Sequence, residues 1–93
     1  MSAAQQVEDR GISTGEVFLR LNRGRGDREG KEELRFALKE FNRVHYVDVR
    51  MWFLGRDEQW RPTAKGITIK LSEYHDVLTA LEKYEEKIRG LRR

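Results

Sequence analysis

Three large aromatic side chains and four cations interleave between Arg50 and Lys65: Trp52, Phe53 and Trp60 with Arg50, Arg56, Arg61 and Lys65. Flat rings beside positive charge are what an unpaired nucleic acid strand requires, because bases stack on rings and phosphates seek cations. An ordinary sheet with a solvated edge produces the same mixture, so the elements carrying these residues decide their use. Other chemistries find little support. His45 and His75 fall on different elements, without the spacing of a helical metal pair. The chain has no cysteine, hence no disulfide or thiolate metal site. It has neither a phosphate-binding glycine loop followed by Lys-Ser/Thr nor a nucleophile elbow. Asp48, between Val47 and Val49, reads as the partner of a cross-strand cation rather than a general base. The expectation is a binding protein, not an enzyme, with no metal and no cofactor.

These residues need strands to position them. Leu34 to Phe41 alternates cleanly, with Leu34, Phe36 and Leu38 on one face and Arg35, Ala37, Lys39 and Phe41 on the other. Asn42-Arg43 makes a tight turn, since Asn tolerates left-handed backbone. Val44 to Leu54 is the next strand. Its odd face, through Val47 and Val49, is the more apolar and the expected core face. Strict alternation then buries Phe53 and exposes Trp52, and a bulge near Met51 reverses that. Gly55 to Gln59 turns the chain, and Trp60 to Ile69 forms a third strand interrupted by Pro62. Proline cannot donate to a ladder, so that strand is an edge or a bend, with Gly66 allowing a close backbone approach.

Around this unit, residues 1–13 read as a mobile tail, and Gly15 to Asn22 as a short strand with Val17, Leu19 and Leu21 on one face. Arg23 to Gly30 is a charged, glycine-rich loop. Ser72 is the expected N-cap of a helix running to about Arg89 and ended by Gly90. Its apolar positions Val77, Leu81, Tyr84, Ile88 and Leu91 alternate steps of four and three, a narrow seam that suits the domain's own sheet or a second helix. The reading is one domain over residues 14–93, its strand and loop at 14–30 preceding a core at 34–91.

Bulk properties agree. Ninety-three residues allow one small domain, for which pairing with a second copy is a natural remedy to a thin core. The net charge of +3 lies wholly in residues 31–70, with nine basic and six acidic side chains, while residues 1–30 and 71–93 each balance five against five. No apolar run approaches a membrane span of roughly 20 residues, and Met1 to Arg10 lacks an apolar signal region. The expected location is intracellular and cytoplasmic, with the nucleoid or nucleus as the site of action.

The segment from Leu34 to the end of the helix resembles the positive-cofactor-four family of transcriptional coactivators. Val47-Asp48-Val49-Arg50, the aromatic pair Trp52-Phe53, Arg61-Pro62 and Lys65-Gly66-Ile67-Thr68-Ile69 carry the resemblance, without a gap from Phe41 to Ile69. It implies an α+β fold, a strongly curved antiparallel sheet of three to four strands followed by one C-terminal helix, assembled as a homodimer. It implies single-stranded DNA as the partner, bound with little sequence preference, and transcription or replication proteins as further partners. Lys39, Arg50, Arg61 and Lys65 match basic positions of the family's DNA surface, and Phe41 and Phe53 its stacking aromatics, with Trp52 and Trp60 as further candidates. The chain is similar to the short bacterial and phage members. Glu32 and Leu34 replace basic residues expected before the first matched strand, and Arg20, Arg23, Arg25 and Arg28 are candidates to supply the missing charge. Single-stranded RNA, or a protein partner held on the helix seam, are the alternative readings.

Overall fold

The structure is a computed structural model and describes residues 15–91. The expected tail at 1–13 lies outside the described residues. Four strands, β1 (Glu16–Asn22), β2 (Glu32–Phe41), β3 (Val44–Leu54) and β4 (Trp60–Lys70), form one antiparallel sheet in sequence order. Helix α1 (Leu71–Lys83) follows β4 directly, and a short α2 (Glu85–Gly90) follows α1. The α+β fold is therefore the expected one, with the first strand fully part of the sheet.

Asn42 and Arg43 join β2 to β3 with φ of 54° and 68°, the positive-φ pair of a two-residue hairpin turn whose twist matches that of the strands. This turn sets the register: Arg35 lies opposite Arg50, Ala37 opposite Asp48 and Lys39 opposite Tyr46. The β1–β2 loop is compact. The Asn22 side-chain oxygen accepts the backbone N–H groups of Gly24 (3.3 Å) and Gly30 (3.2 Å), and a 3-10 turn spans Gly26–Arg28.

Two irregularities bend the sheet. In β1 the register shifts between Val17 and Leu19, so Val17 pairs with Ala37 while Leu19 pairs with Phe36. Val17 thus leaves the face shared by Leu19 and Leu21, contrary to unbroken alternation. Between β3 and β4 the register shifts as Arg50 pairs with Gly66 and Trp52 with Pro62. The extra residues, Thr63 to Lys65, belong to β4, the edge strand that Pro62 predicted. Because β3 itself stays regular against β2, Phe53 keeps to the Val47–Val49–Met51 face and Trp52 to the opposite one.

Burial corrects the expected core. Among the described residues the buried side chains are Arg35, Ala37, Lys39, Asp48 and Trp52, all on the even face of β3 and its partners. Val47 and Val49 are only half-buried, and on the same apolar face Ile67 is 60% exposed. Period-two alternation assigns residues to faces, but the layer over each face is tertiary. Here the long Arg35 side chain covers its own face, while the apolar face has little over it.

The helix differs in the same sense. It starts two residues earlier than Ser72 suggested: Lys70 is the N-cap, and its backbone N–H is taken by Glu73 Oε1 at 3.0 Å. It breaks at Tyr84 rather than running on, and Gly90 falls inside α2. No residue of α1 or α2 is buried, so the chain's own sheet leaves much of the seam uncovered; Leu81 is 56% and Ile88 51% exposed. The radius of gyration, 15.2 Å, exceeds the roughly 12 Å of a compact chain of this length.

Candidate nucleic-acid interface

The polar face of the sheet runs from the Phe41–Val44 rung at the hairpin turn to the Leu54–Trp60 rung at the other end. Ten residues of β3 separate them, about 33 Å of strand at 3.3 Å per residue. Alternation brings Phe41, Lys39, Arg50, Trp52 and Trp60 onto this one face. Phe53 and Arg61, which are register partners, lie on the opposite face. Lys65 sits in the β4 bulge. The eight candidates are thus divided among two faces and an edge.

Two side-chain systems organise the polar face. The first is a ring-and-cation stack. Arg35 Cζ lies 4.4 Å from the centroid of the Trp52 ring and 4.8 Å from that of Trp60, and its Nε donates to Glu33 Oε1 at 2.9 Å. Trp52 is buried at 6% exposure, whereas Trp60 stays half-open. A guanidinium on an indole is favoured electrostatically and keeps both rings in fixed orientation. Trp52 is therefore a support, and Trp60 the ring with a surface left to offer.

The second system centres on Asp48. Arg50 donates to it through Nη2 (3.0 Å) and Nε (3.2 Å), and through Nη1 to the Thr63 carbonyl oxygen (3.1 Å). Lys39 Nζ lies 3.9 Å from the same carboxylate. Hydrogen bonding to Asp48 raises the Arg50 pKa, so Arg50 is a permanent cation. Both cations approach the one Asp48 carboxylate. Thr63 holds the bulge that shapes this edge: its hydroxyl donates to the Met51 carbonyl (2.9 Å) and accepts the Lys65 N–H (3.1 Å). Gly66 belongs to the same device. A Cβ there would lie 2.6 Å from the Val49 carbonyl oxygen and 2.9 Å from Arg50 Cζ, so only glycine lets β4 approach Arg50 this closely.

The remaining candidates are more open. Phe41 is 45% exposed at the hairpin end. Arg61 pairs with Asp57 at 2.5 Å, and this hydrogen bond holds the Asp57 carboxyl down at about 2. Lys65 is exposed and carries no ion pair among the described residues. No group of three His, Cys, Asp or Glu among the described residues is placed to hold a metal. Arg35 is the member that the sequence reading missed. Its signal was present, since it shares the alternating face of Lys39 and Phe41, but only the fold places it between the two tryptophans.

The family model described as Transcriptional Coactivator p15 (PC4) matches residues 29–80. Among solved structures, the chain is similar to a PC4 homolog from Burkholderia pseudomallei K96243 in its tetragonal crystal form, at 22% identity and a TM-score of 0.61, covering 76% of this chain and 97% of that one. The orthorhombic form of that protein gives the same identity and TM-score, with 89% of its chain covered. A bacteriophage T5 homolog of the eukaryotic coactivator, implicated in recombination-dependent DNA replication, matches at 18% identity and a TM-score of 0.48, over 77% of this chain and 88% of that one. Comparison with curated proteins gives no match.

Proposed function

The chain belongs to the transcriptional coactivator p15 (PC4) family, and we propose that it binds single-stranded DNA with little sequence preference, as a homodimer, holding or protecting melted DNA in transcription, replication or repair. The observation that carries this reading is the polar face itself, where Phe41 and Trp60 offer rings at its two ends and the cations Lys39 and Arg50 lie between them. A base stacked on such a ring contributes about 1–3 kcal/mol. The phosphates are met by Lys39 and Arg50 on the face, Lys65 at the bulge and Arg61 beyond it. Phe53 extends the ring surface around the sheet end.

What one chain leaves uncovered supports the homodimer. The only buried apolar side chains among the described residues are Ala37 and Trp52. The helix stripe Val77, Leu81, Tyr84, Ile88 and Leu91, together with Ile67 and Leu38 of the sheet, stays exposed. Pairing two such surfaces removes apolar area from water and covers open sheet edges.

The test is fluorescence anisotropy with labelled oligo-dT, its duplex and the matching RNA oligomer, at two salt concentrations. The single DNA strand is expected to bind tightest. Four phosphate contacts per chain would give a log–log salt slope of about −2.8, at about −0.7 each. Equal or salt-insensitive binding to strand and duplex would sink the reading, and preference for RNA would redirect it. Light scattering on the same sample is expected to give twice the chain mass.

A further inference from the structure

A cavity of about 280 Å³ opens between the β1–β2 loop and the β3–β4 loop, at the sheet end that carries Trp60. Its lining includes the Phe53 ring, the Gly55 backbone, the cations Arg28, Lys31 and Arg56, and one acid, Glu58. The walls are tied to each other. The Lys31 carbonyl accepts the Leu54 N–H at 2.9 Å and Arg28 Nη2 at 3.4 Å. On the other side Gly55 donates to the Gln59 carbonyl, and Glu58 to that of Gly55 (2.9 Å each). Arg28 is already shared with Glu32 at 3.2 Å, whereas Lys31 and Arg56 carry no ion pair among the described residues.

We propose that this cavity is a subsite for one nucleoside phosphate, its base against Phe53 and its phosphate between Lys31 and Arg56. Two unpaired cations suit a phosphate monoester, which carries about −1.5 to −2 charges at pH 7. A half-buried ring beside them suits a base, and the volume lies at the lower limit of small-ligand sites, about 300 Å³, so it admits one unit and no more. The end unit of a bound strand or a free mononucleotide presents the same chemistry. The strand source rests on the reading above that the polar face carries single-stranded DNA, and the geometry serves it: Leu54 lines the cavity and is the register partner of Trp60. A strand leaving Trp60 is thereby handed to the cavity.

The experiment is amide and aromatic chemical-shift mapping of the full chain, with 5′-dAMP, 5′-phosphorylated oligo-dT, the same oligomer without its phosphate, and inorganic phosphate as probes. A saturable shift of the Phe53 ring and of the Gly55 and Arg56 amides is expected with the phosphorylated oligomer, and its loss in Lys31→Glu/Arg56→Glu. Unchanged amide dispersion elsewhere shows that the variant is folded. The variant is also expected to lose the affinity advantage of the phosphorylated over the plain oligomer, and to lower the salt slope by about 1.4 for two contacts. Shifts with the oligomer alone assign the strand end as the source; shifts with 5′-dAMP as well assign free nucleotide too. Identical shifts and affinity with inorganic phosphate overturn the proposal, because the ring then contributes nothing. Oligomer binding that leaves the cavity signals unmoved overturns it while the DNA-binding reading stands. Oligomer binding that fails altogether overturns that reading instead, and 5′-dAMP shifts at the cavity would then support a mononucleotide site alone.

Discussion

Replacing Asp48 by asparagine isolates the charge network of the polar face. Asp48 is 4% exposed, hydrogen-bonded to Arg50 at 3.0 Å and 3.9 Å from Lys39 Nζ. Asparagine preserves the volume and removes the charge that Lys39 and Arg50 both face, with Arg35 in register with Arg50. Removing one partner of a buried pair costs about 3–5 kcal/mol. The lower figure applies here, because Arg50 keeps the Thr63 carbonyl and is partly open to solvent. At about 4–8 °C per kcal/mol for a domain of this size, Tm should fall by about 12–24 °C. Thermal unfolding at fixed protein concentration measures this, since assembly would make stability depend on concentration. Adding Lys39→Met should cost less in the Asp48→Asn background than in the wild type, because the Lys39–Asp48 attraction is then already removed. A fall in Tm of less than about 2 °C would refute the reasoning and mean that this face is solvated in solution.

Arg35→Ala should destabilise the chain by about 1–3 kcal/mol and shift tryptophan emission to the red, as two indoles lose their guanidinium cover; Arg35→Lys should restore little, because the ammonium is not planar. Gly66→Ala should cost about 1–3 kcal/mol through overpacking against the Val49 carbonyl, and unchanged urea midpoints would contradict that account. Asp57 should titrate at about 2 by carboxyl NMR and return toward the usual carboxylate range in Arg61→Ala. Its folded pKa is depressed, so the pair's contribution is present above the unfolded value and is lost as pH falls toward 2. Asp57→Asn should free Arg61 and tighten oligo-dT binding at low salt. Leu81→Asp, on the exposed helix stripe, should give a species of single-chain mass by light scattering if the stripe is the dimer surface.

Much of the fold was legible because its signals are local. The alternation from Leu34 to Leu54 marks two strands, and Asn42-Arg43 marks the turn between them through positive φ. Pro62 and Gly66 announce an edge strand that bends and approaches closely. The candidate site was legible as composition, since the excess charge and the rings fall together in one segment. Its division was not. Phe53 and Trp52 are adjacent in sequence, yet they end on opposite faces with different tasks.

By itself, then, the sequence determined the strands, the turn, the position of the helix and the concentration of cations among rings, because each depends on residues within a few positions of one another. The tertiary structure decided which face is covered. Asp48 is buried because β2 brings Lys39 beside it, and Trp52 because Arg35 arrives from the neighbouring strand. Those encounters join residues more than eight positions apart through one hairpin register, and no local pattern encodes them. The helix seam shows the same division: its spacing is written in the chain, while its exposure is set by what lies above it.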